Sequence, residues 1–304
     1  MISDDDLALL VERLARALAP PRGRYTPLFV EGKVAGWLDD ARVSRLASMT
    51  GVFEVGGDGV AFVAGLDDAT ARTAALDPVA RTLAAEGRLS RWRDERYSVA
   101  PHFGAPPWFL LERAAARFFG IHTCAAHING VVRADDGIRM WLARRSPSKA
   151  IDPGMLDNMV GGGVAEGQSI AATVRKESAE EAGVAEALAD CARPAGTVDI
   201  CREQPDGLHR ETIFVHDLWL PADFTPAGRD GEVVGNQLVT LPEAARLIAI
   251  DKGSEAVTAD ASLVIVDYLM RHGEILPDAR DYAMLDALRH PSTSVSGLPA
   301  PERA

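Results

Sequence analysis

Cysteine is scarce in this chain: Cys124, Cys191 and Cys201 are the only ones among 304 residues. An odd count with no C-x-x-C pair argues against a disulfide framework and against a cysteine zinc site. The three are expected to be small buried hydrophobes. A basic start is also missing, since MISDDDLALL is acidic where a secretory signal peptide needs positive charge. No apolar run is long enough to cross a bilayer. These absences point to a reducing, cytoplasmic setting. Positive charge is in deficit: the net charge of -12 repels nucleic acid and anionic lipid, so neither is expected as a main partner. The G-x-x-x-x-G-K-[ST] phosphate loop is absent, so kinase activity is not expected. No internal repeat is present.

What is there reads as a folded protein long enough for two domains. Ser3 can cap a helix to Ala19, with Leu7, Leu10, Val11, Leu14 and Leu18 at helical spacing. LFVEGKVAGWL predicts a hairpin around Glu31-Gly32. VSRLASMTGVFEV predicts a short helix and then a strand. DATARTAALDPVARTLAAEG predicts helix with a break at Pro78. PPWFLLERAAARFFG predicts an apolar helix ending at Gly120. A hairpin around Asp135-Asp136-Gly137 follows, then a glycine-rich turn, Gly161-Gly162-Gly163, feeding a helix. Strands GTVDICRE, ETIFVHDLWL and NQLVTL and helices near Pro242 and Ala261 complete the pattern. The expected division is a small α+β domain over 1–107, an α/β domain over 108–290 and a flexible tail over 291–304.

The chemistry concentrates in one helix. Glu177, Glu180 and Glu181 stand at i, i+3 and i+4, so a helix puts all three carboxylates on one face. Like charges packed together repel, and no matching set of lysines or arginines lies on this helix to neutralise them. A hard divalent cation would, because Mg²⁺ prefers carboxylate oxygens and water. Such ions bridge phosphate oxygens, activate water and stabilise a leaving phosphate. An acidic chain can therefore still bind an anionic diphosphate. The bland alternative is a solvated acidic face. Context favours the site: glycines precede the helix, Ser169 can serve as its N-cap, and Gly183 suits its C-cap.

From Gly162 to Val184 the segment resembles the Nudix box, G-x5-E-x7-R-E-U-x-E-E-x-G-U with U apolar. Gly162, Glu177, Glu180, Glu181, Gly183 and Val184 match. Gln168 replaces the first glutamate, Lys176 the arginine, and Ser178 an apolar residue. The first glutamate and the arginine commonly pair in the family, so a Gln168–Lys176 hydrogen bond is the expected substitute. PGMLDNMVGGGV, WRDERYSV, FFGIHTCAAHINGVV and DGLHRETIFVHDLWLPADFTPAGRDGEV extend the resemblance. Together they look like the Nudix branch associated with thiamin pyrophosphokinase, in which a domain of unassigned function precedes the Nudix fold.

The resemblance implies an α/β/α sandwich with a mixed sheet. It also implies a Mg²⁺- or Mn²⁺-dependent hydrolase of a small diphosphate compound, thiamin diphosphate or its oxidised derivatives. Glu177, Glu180 and Glu181 are the implied metal ligands. Glu177 or Glu232 is the implied base, and the alternative stays open. Gly162, Gly163, Arg144 and Lys176 are the expected phosphate contacts; strand alternation sends Arg144 and Arg145 to opposite faces. His127 is expected to be structural, Trp92 and Tyr97 to pack in a core, and Arg93, Asp94 and Glu95 to be surface charges. A homodimer is compatible with these features. The competing functions are a non-catalytic Nudix-fold metabolite sensor and a nucleotide-sugar or dinucleotide diphosphatase.

Overall fold

A computed structural model describes residues 2–291, so the tail expected at 291–304 lies, from residue 292 on, outside the described residues. The chain opens with α1 (Asp4–Ala17), β1 (Thr26–Val30), β2 (Lys33–Leu38), α2 (Asp40–Ala47), β3 (Phe53–Val55), β4 (Val60–Phe62) and α3 (Ala69–Ala85). Next come β5 (Arg96–Val99), β6 (Phe109–Glu112), α4 (Ala116–Phe119), β7 (His122–Ala134), β8 (Gly137–Arg145), β9 (Leu156–Asn158) and β10 (Val160–Gly163). The rest is α5 (Ile170–Ala182), α6 (Glu186–Ala189), β11 (Arg193–Gln204), β12 (Gly207–Leu220), β13 (Val233–Thr240), α7 (Leu241–Ile248), α8 (Ala259–Arg271) and α9 (Tyr282–Arg289).

The larger sheet runs β11-β12-β7-β8-β13, with β10 added on β7 and β9 on β8. It is mixed, because β12 and β7 run parallel while the other pairs are antiparallel. Period-two burial gives it two apolar faces. Ile213, Val215, Val198 and Ile200 pack with α7, α8 and α9. Ile128, Val132 and Leu218 pack with Val174, Ala182 and Ala189 of α5 and α6. The result is the expected α/β/α sandwich. A smaller sheet, β2-β1-β4-β3, and the β5–β6 hairpin share a separate core with α3 and α4. Among the described residues no helix is long and apolar enough to cross a membrane.

Several sequence expectations are corrected here. Helix α1 does not join the N-terminal core: Leu7, Leu10, Val11 and Leu14 bury against α7, α8 and α9. The 107/108 boundary runs between β5 and β6, which pair directly from Arg96–Glu112 to Val99–Phe109. The helix expected over PPWFLLERAAARFFG begins as strand β6, because Phe109 and Leu111 alternate into a core while the segment pairs with β5. Pro78 does not break α3: burial of Leu76, Val79, Ala80 and Leu83 along one stripe outweighs a proline penalty of about 3 kcal/mol. The glycine-rich turn is strand β10, paired with β7 from Val160–Ile128 to Gly163–Ala125. Cys124 and Cys201 are only partly buried and Cys191 is exposed, so none is the core hydrophobe expected.

The placement of α1 has a direct test. Leu10 and Leu14 are fully buried, so Leu10→Ala or Leu14→Ala should cost about 2–5 kcal/mol. Amide exchange should accelerate first in α7, α8 and α9. Acceleration confined to β1–β4 would return α1 to the N-terminal unit.

Candidate active site

Helix α5 is fixed at both ends by its own sequence. Ser169 Oγ accepts from Ala172 N at 3.2 Å. Gly183 ends the helix left-handed, φ 64°, where a Cβ would lie 2.7 Å from Ala227 O. So held, α5 turns Glu177 and Glu181, one turn apart, into a polar cavity also lined by Lys149, Asp157 and Glu232. Glu180 stays at the rim with its side chain 45% exposed, 3.6 Å from Lys176. The expected trio therefore divides into two inward carboxylates and one outer one.

Strand β10 meets these carboxylates with bare backbone. A Cβ on Gly162 would stand 2.4 Å from Glu177 Cγ and Cδ; one on Gly163 would stand 2.2 Å from the Tyr97 hydroxyl. A Cβ on Gly161 would strike the His127 ring, at 2.9 Å from Cε1. The three glycines exist because side chains from three other elements occupy the space a Cβ would need. Gly161 N donates to Glu181 Oε2 at 2.8 Å.

The electrostatics distinguish the acidic groups. Glu181 is 6% exposed. Burial, with help from Asp157 and Glu177, pushes its pKa up to about 8 against the pull of the Gly161 N–H and Lys149. Lys149 Nζ is 3.8 Å from Glu181 and bonds instead to Glu232. Burial also raises Glu177, and Lys176 offsets only part of that. Burial acts to raise Glu232 as well, but the bond and charge of Lys149 outweigh it, and Arg93 and Arg113 add to the lowering.

Further along the cavity, His209, Glu211 and Asp260 bring ligand atoms within 4.8 Å of one another. Sequence reading did not single them out. The period-two spacing of His209 and Glu211 on β12 was the only local signal, and Asp260 arrives from α8. This group is already compensated. Arg202 Nη2 is 3.0 Å from Asp260, and Thr123 Oγ1 donates to Glu211 Oε1 at 2.9 Å. Burial opposes ionisation of both carboxylates, yet Arg202 and His209 hold Asp260 low, and His209 holds Glu211 low.

Two expected phosphate contacts fall elsewhere. Arg144 turns away to donate to Gly154 O at 3.2 Å, to Ser254 O and to Glu255 Oε1 at 2.7 Å. Alternation was read correctly, but the inward residue is Arg145, which donates to Asp157 Oδ2 at 2.5 Å and Ile151 O at 2.9 Å. Lys176 does not meet Gln168; it donates to Glu177 Oε1 at 2.9 Å, while Gln168 lines a different hollow beside Gly167 and Ser169. Arg93, expected as a surface charge, lines the cavity together with Arg113 and Tyr97. His127 is the structural histidine expected, its Nδ1 2.7 Å from Asn158 Oδ1.

A mixed sheet sandwiched by helices, with a capped glutamate helix facing a glycine strand, defines a Nudix fold with its motif in place. Comparison with known proteins agrees. The NUDIX domain family matches residues 125–260, and a domain of unknown function, DUF4743, matches residues 8–123. Nudix hydrolase 20, chloroplastic, of Arabidopsis thaliana is 35% identical over 269 residues, covering 86% of this chain and 71% of the relative. Nudix hydrolase 24, chloroplastic, of the same plant is 34% identical over 274 residues, covering 90% and 74%. The crystal structure of DR0079 from Deinococcus radiodurans aligns with TM-score 0.42 and 28% identity over 57% of this chain and 99% of that one. The chain belongs to the Nudix hydrolase family, whose members act on pyrophosphate bonds.

Two outcomes follow from the geometry. Unfolded Glu181 titrates near 4.5 and folded Glu181 near 8. Between those values the folded protein keeps a proton that the unfolded chain has released, so metal-free stability falls as pH rises through that window. Glu181→Gln should raise the metal-free melting temperature above about pH 8, and the gap should close below about pH 4.5. A constant gap across that range would contradict the buried-charge account. Separately, Gln168→Glu and Lys176→Arg should be additive in a double-mutant cycle to within about 0.5 kcal/mol. A larger coupling would restore the pair that the sequence suggested.

Proposed function

We propose that this chain hydrolyses a small diphosphate compound, thiamin diphosphate or one of its oxidised derivatives, to the monophosphate and phosphate with Mg²⁺ or Mn²⁺. The observation that carries the reading is Glu181, a carboxylate buried beside Glu177 with one N–H and a lysine at 3.8 Å for compensation. Buried carboxylates are ordinarily paired or ligate a metal. The neighbouring His209–Glu211–Asp260 group has Arg202 and Thr123 as partners, so the need for a cation falls at Glu181 and Glu177. The substrate rests on the resemblance of the flanking segments to the thiamin pyrophosphokinase-associated branch.

Glu177 and Glu181 from inside the cavity, with Glu180 at the rim, would hold the cation. A divalent cation held there would supply Lewis acidity to the diphosphate and to water. The chain's own groups do the rest. Gly161 N holds the Glu181 carboxylate, and bare Gly162 leaves Glu177 the room it needs beside the strand. Lys149 offers a point charge beside Glu232. Attack of water on phosphorus would form one P–O bond and break the anhydride P–O bond, with Glu177 or Glu232 taking the proton that water loses.

Phosphate release should require Mg²⁺ or Mn²⁺, stop with a chelator and return on adding metal. A panel of thiamin diphosphate, its oxidised forms, nucleotide sugars and dinucleotides identifies the substrate. Glu181→Gln should slow turnover roughly a hundredfold, equivalent to about 3 kcal/mol of lost transition-state stabilisation. Glu186→Gln should be silent, since that side chain is 77% exposed. Equal losses at the two positions would mean the helix is a solvated acidic face. Full turnover without metal would sink the mechanism.

A further inference from the structure

The cavity draws its carboxylates from the Nudix domain, but Arg93 and Arg113 reach it from the segment assigned to the domain of unknown function. A bracket of short contacts sets both arginines. Asp94 takes a left-handed backbone, φ 56°, and its Oδ1 accepts from Trp92 Nε1 at 2.6 Å. A left-handed aspartate is uncommon, and such strain persists where the surroundings over-determine it. The turn it makes sits immediately after Arg93. Glu112 is 4% exposed, and one of its oxygens, Oε1, accepts from Arg93 N at 2.9 Å and Ala114 N at 3.2 Å. That single carboxylate ties together the two segments carrying Arg93 and Arg113. Arg113 is fixed further by Glu95, whose Oε2 accepts at 2.5 Å, and its guanidinium lies 5.6 Å from the Tyr97 ring centre.

The bracket is also fastened to the Nudix domain. The Tyr97 hydroxyl lies over Gly163, and Glu166 N donates to Arg96 O at 2.9 Å. The segment that carries the arginines is thus fastened beside the glycine strand. Both arginines are close enough to lower Glu232, as noted above. Glu232 already has Lys149 as its partner, and Arg113 has Glu95. The guanidinium of Arg93 has no carboxylate or carbonyl partner among the described residues. A guanidinium presents planar, forked donors that match phosphate oxygens.

We propose that Arg93 and Arg113 form a phosphate-binding wall of the active site, so that the N-terminal domain binds the substrate's diphosphate within the cavity that Glu177 and Glu181 line. The proposal rests on the hydrolase reading of the site and gives the N-terminal domain a task within it. A diphosphate has more oxygens than a cation at Glu177 and Glu181 would neutralise, and Arg93 and Arg113 would meet the remainder. Arg93 is the free contact, and Arg113, tied to Glu95, is the fixed one.

The test uses the full chain with Arg93→Gln and Arg93→Lys. Mn²⁺ binding is followed by electron paramagnetic resonance. Binding of methylenediphosphonate, a diphosphate that cannot be hydrolysed, is followed by calorimetry with Ca²⁺ present. Arg93→Gln should keep its melting temperature and its Mn²⁺ affinity but lose roughly tenfold or more in methylenediphosphonate affinity, and raise KM more than it lowers kcat. Arg93→Lys should recover part of the phosphonate affinity by restoring the charge without the fork. Unchanged phosphonate binding in Arg93→Gln, with Mn²⁺ binding intact, overturns the proposal and leaves the hydrolase reading standing. A parallel loss of Mn²⁺ and phosphonate binding with a lowered melting temperature overturns it in favour of a structural role. If the unaltered chain binds neither Mn²⁺ nor methylenediphosphonate, the proposal and the hydrolase reading fall together.

Discussion

The architecture around the cavity depends on keeping the Glu181 carboxylate out of water. Desolvating such a group costs several kcal/mol even after relaxation. One backbone N–H and a lysine at 3.8 Å recover only part of that cost. Below about pH 8 the folded protein avoids the cost by keeping the proton, and above it the surrounding structure must hold the helix in place against the charge. Capping by Ser169 and Gly183 fixes the ends of α5, and packing of Val174 and Ala182 on the sheet fixes its rotation. The three glycines of β10 then bring the opposing backbone close enough for its N–H to reach the carboxylate. A Cβ at Gly162 would displace Glu177, so strand and helix are shaped to one another.

Charge is sorted along the cavity. At the α5 end the carboxylates exceed their local counter-charges. At the β12 end Asp260, Glu211, His209, Arg202 and Thr123 satisfy one another. The N-terminal segment adds the guanidinium groups of Arg93 and Arg113 to the same cavity. Under the proposed hydrolase reading, such a distribution would let a strongly acidic chain take an anionic ligand at the α5 end. It also separates the two acidic groups functionally: a network with its partners in place is a structural element, whereas an undercompensated carboxylate has affinity to spare for a cation.

Local features were legible in the sequence and long-range ones were not. The caps of α5, the i, i+4 pairing of Glu177 and Glu181 and the hairpin at Glu31-Gly32 depend on residues a few positions apart. Alternation on β8 correctly put Arg144 and Arg145 on opposite faces, but which face met the cavity depended on Asp157, twelve residues beyond Arg145 and folded back against β8. Lys176 was misassigned because its closest acids, Glu177 and Glu180, outcompete a neutral glutamine farther off. Arg93 read as surface charge because nothing in WRDERYS reveals the strand it will face. The amphipathic pattern of α1 was plain, but an apolar stripe does not say which core receives it.

That last point bears on how two domains can share one cavity. Because α1 packs on α7, α8 and α9, and β7 follows directly on α4, the intervening residues are anchored to the Nudix core at both ends. A unit tethered at two points has far less orientational freedom than one on a single linker. Contacts between the units tighten it further. Tyr25 donates to Glu203 at 2.9 Å, Trp37 packs with Leu208, and the Arg117 carbonyl lies so close to Gly207 that a Cβ there would come within 1.9 Å of its oxygen. Side chains carried by such a unit need little reordering when a ligand arrives, so less binding energy goes into immobilising them. The early placement of α1, far from the cavity in sequence, is in this way part of what orients the groups that line it.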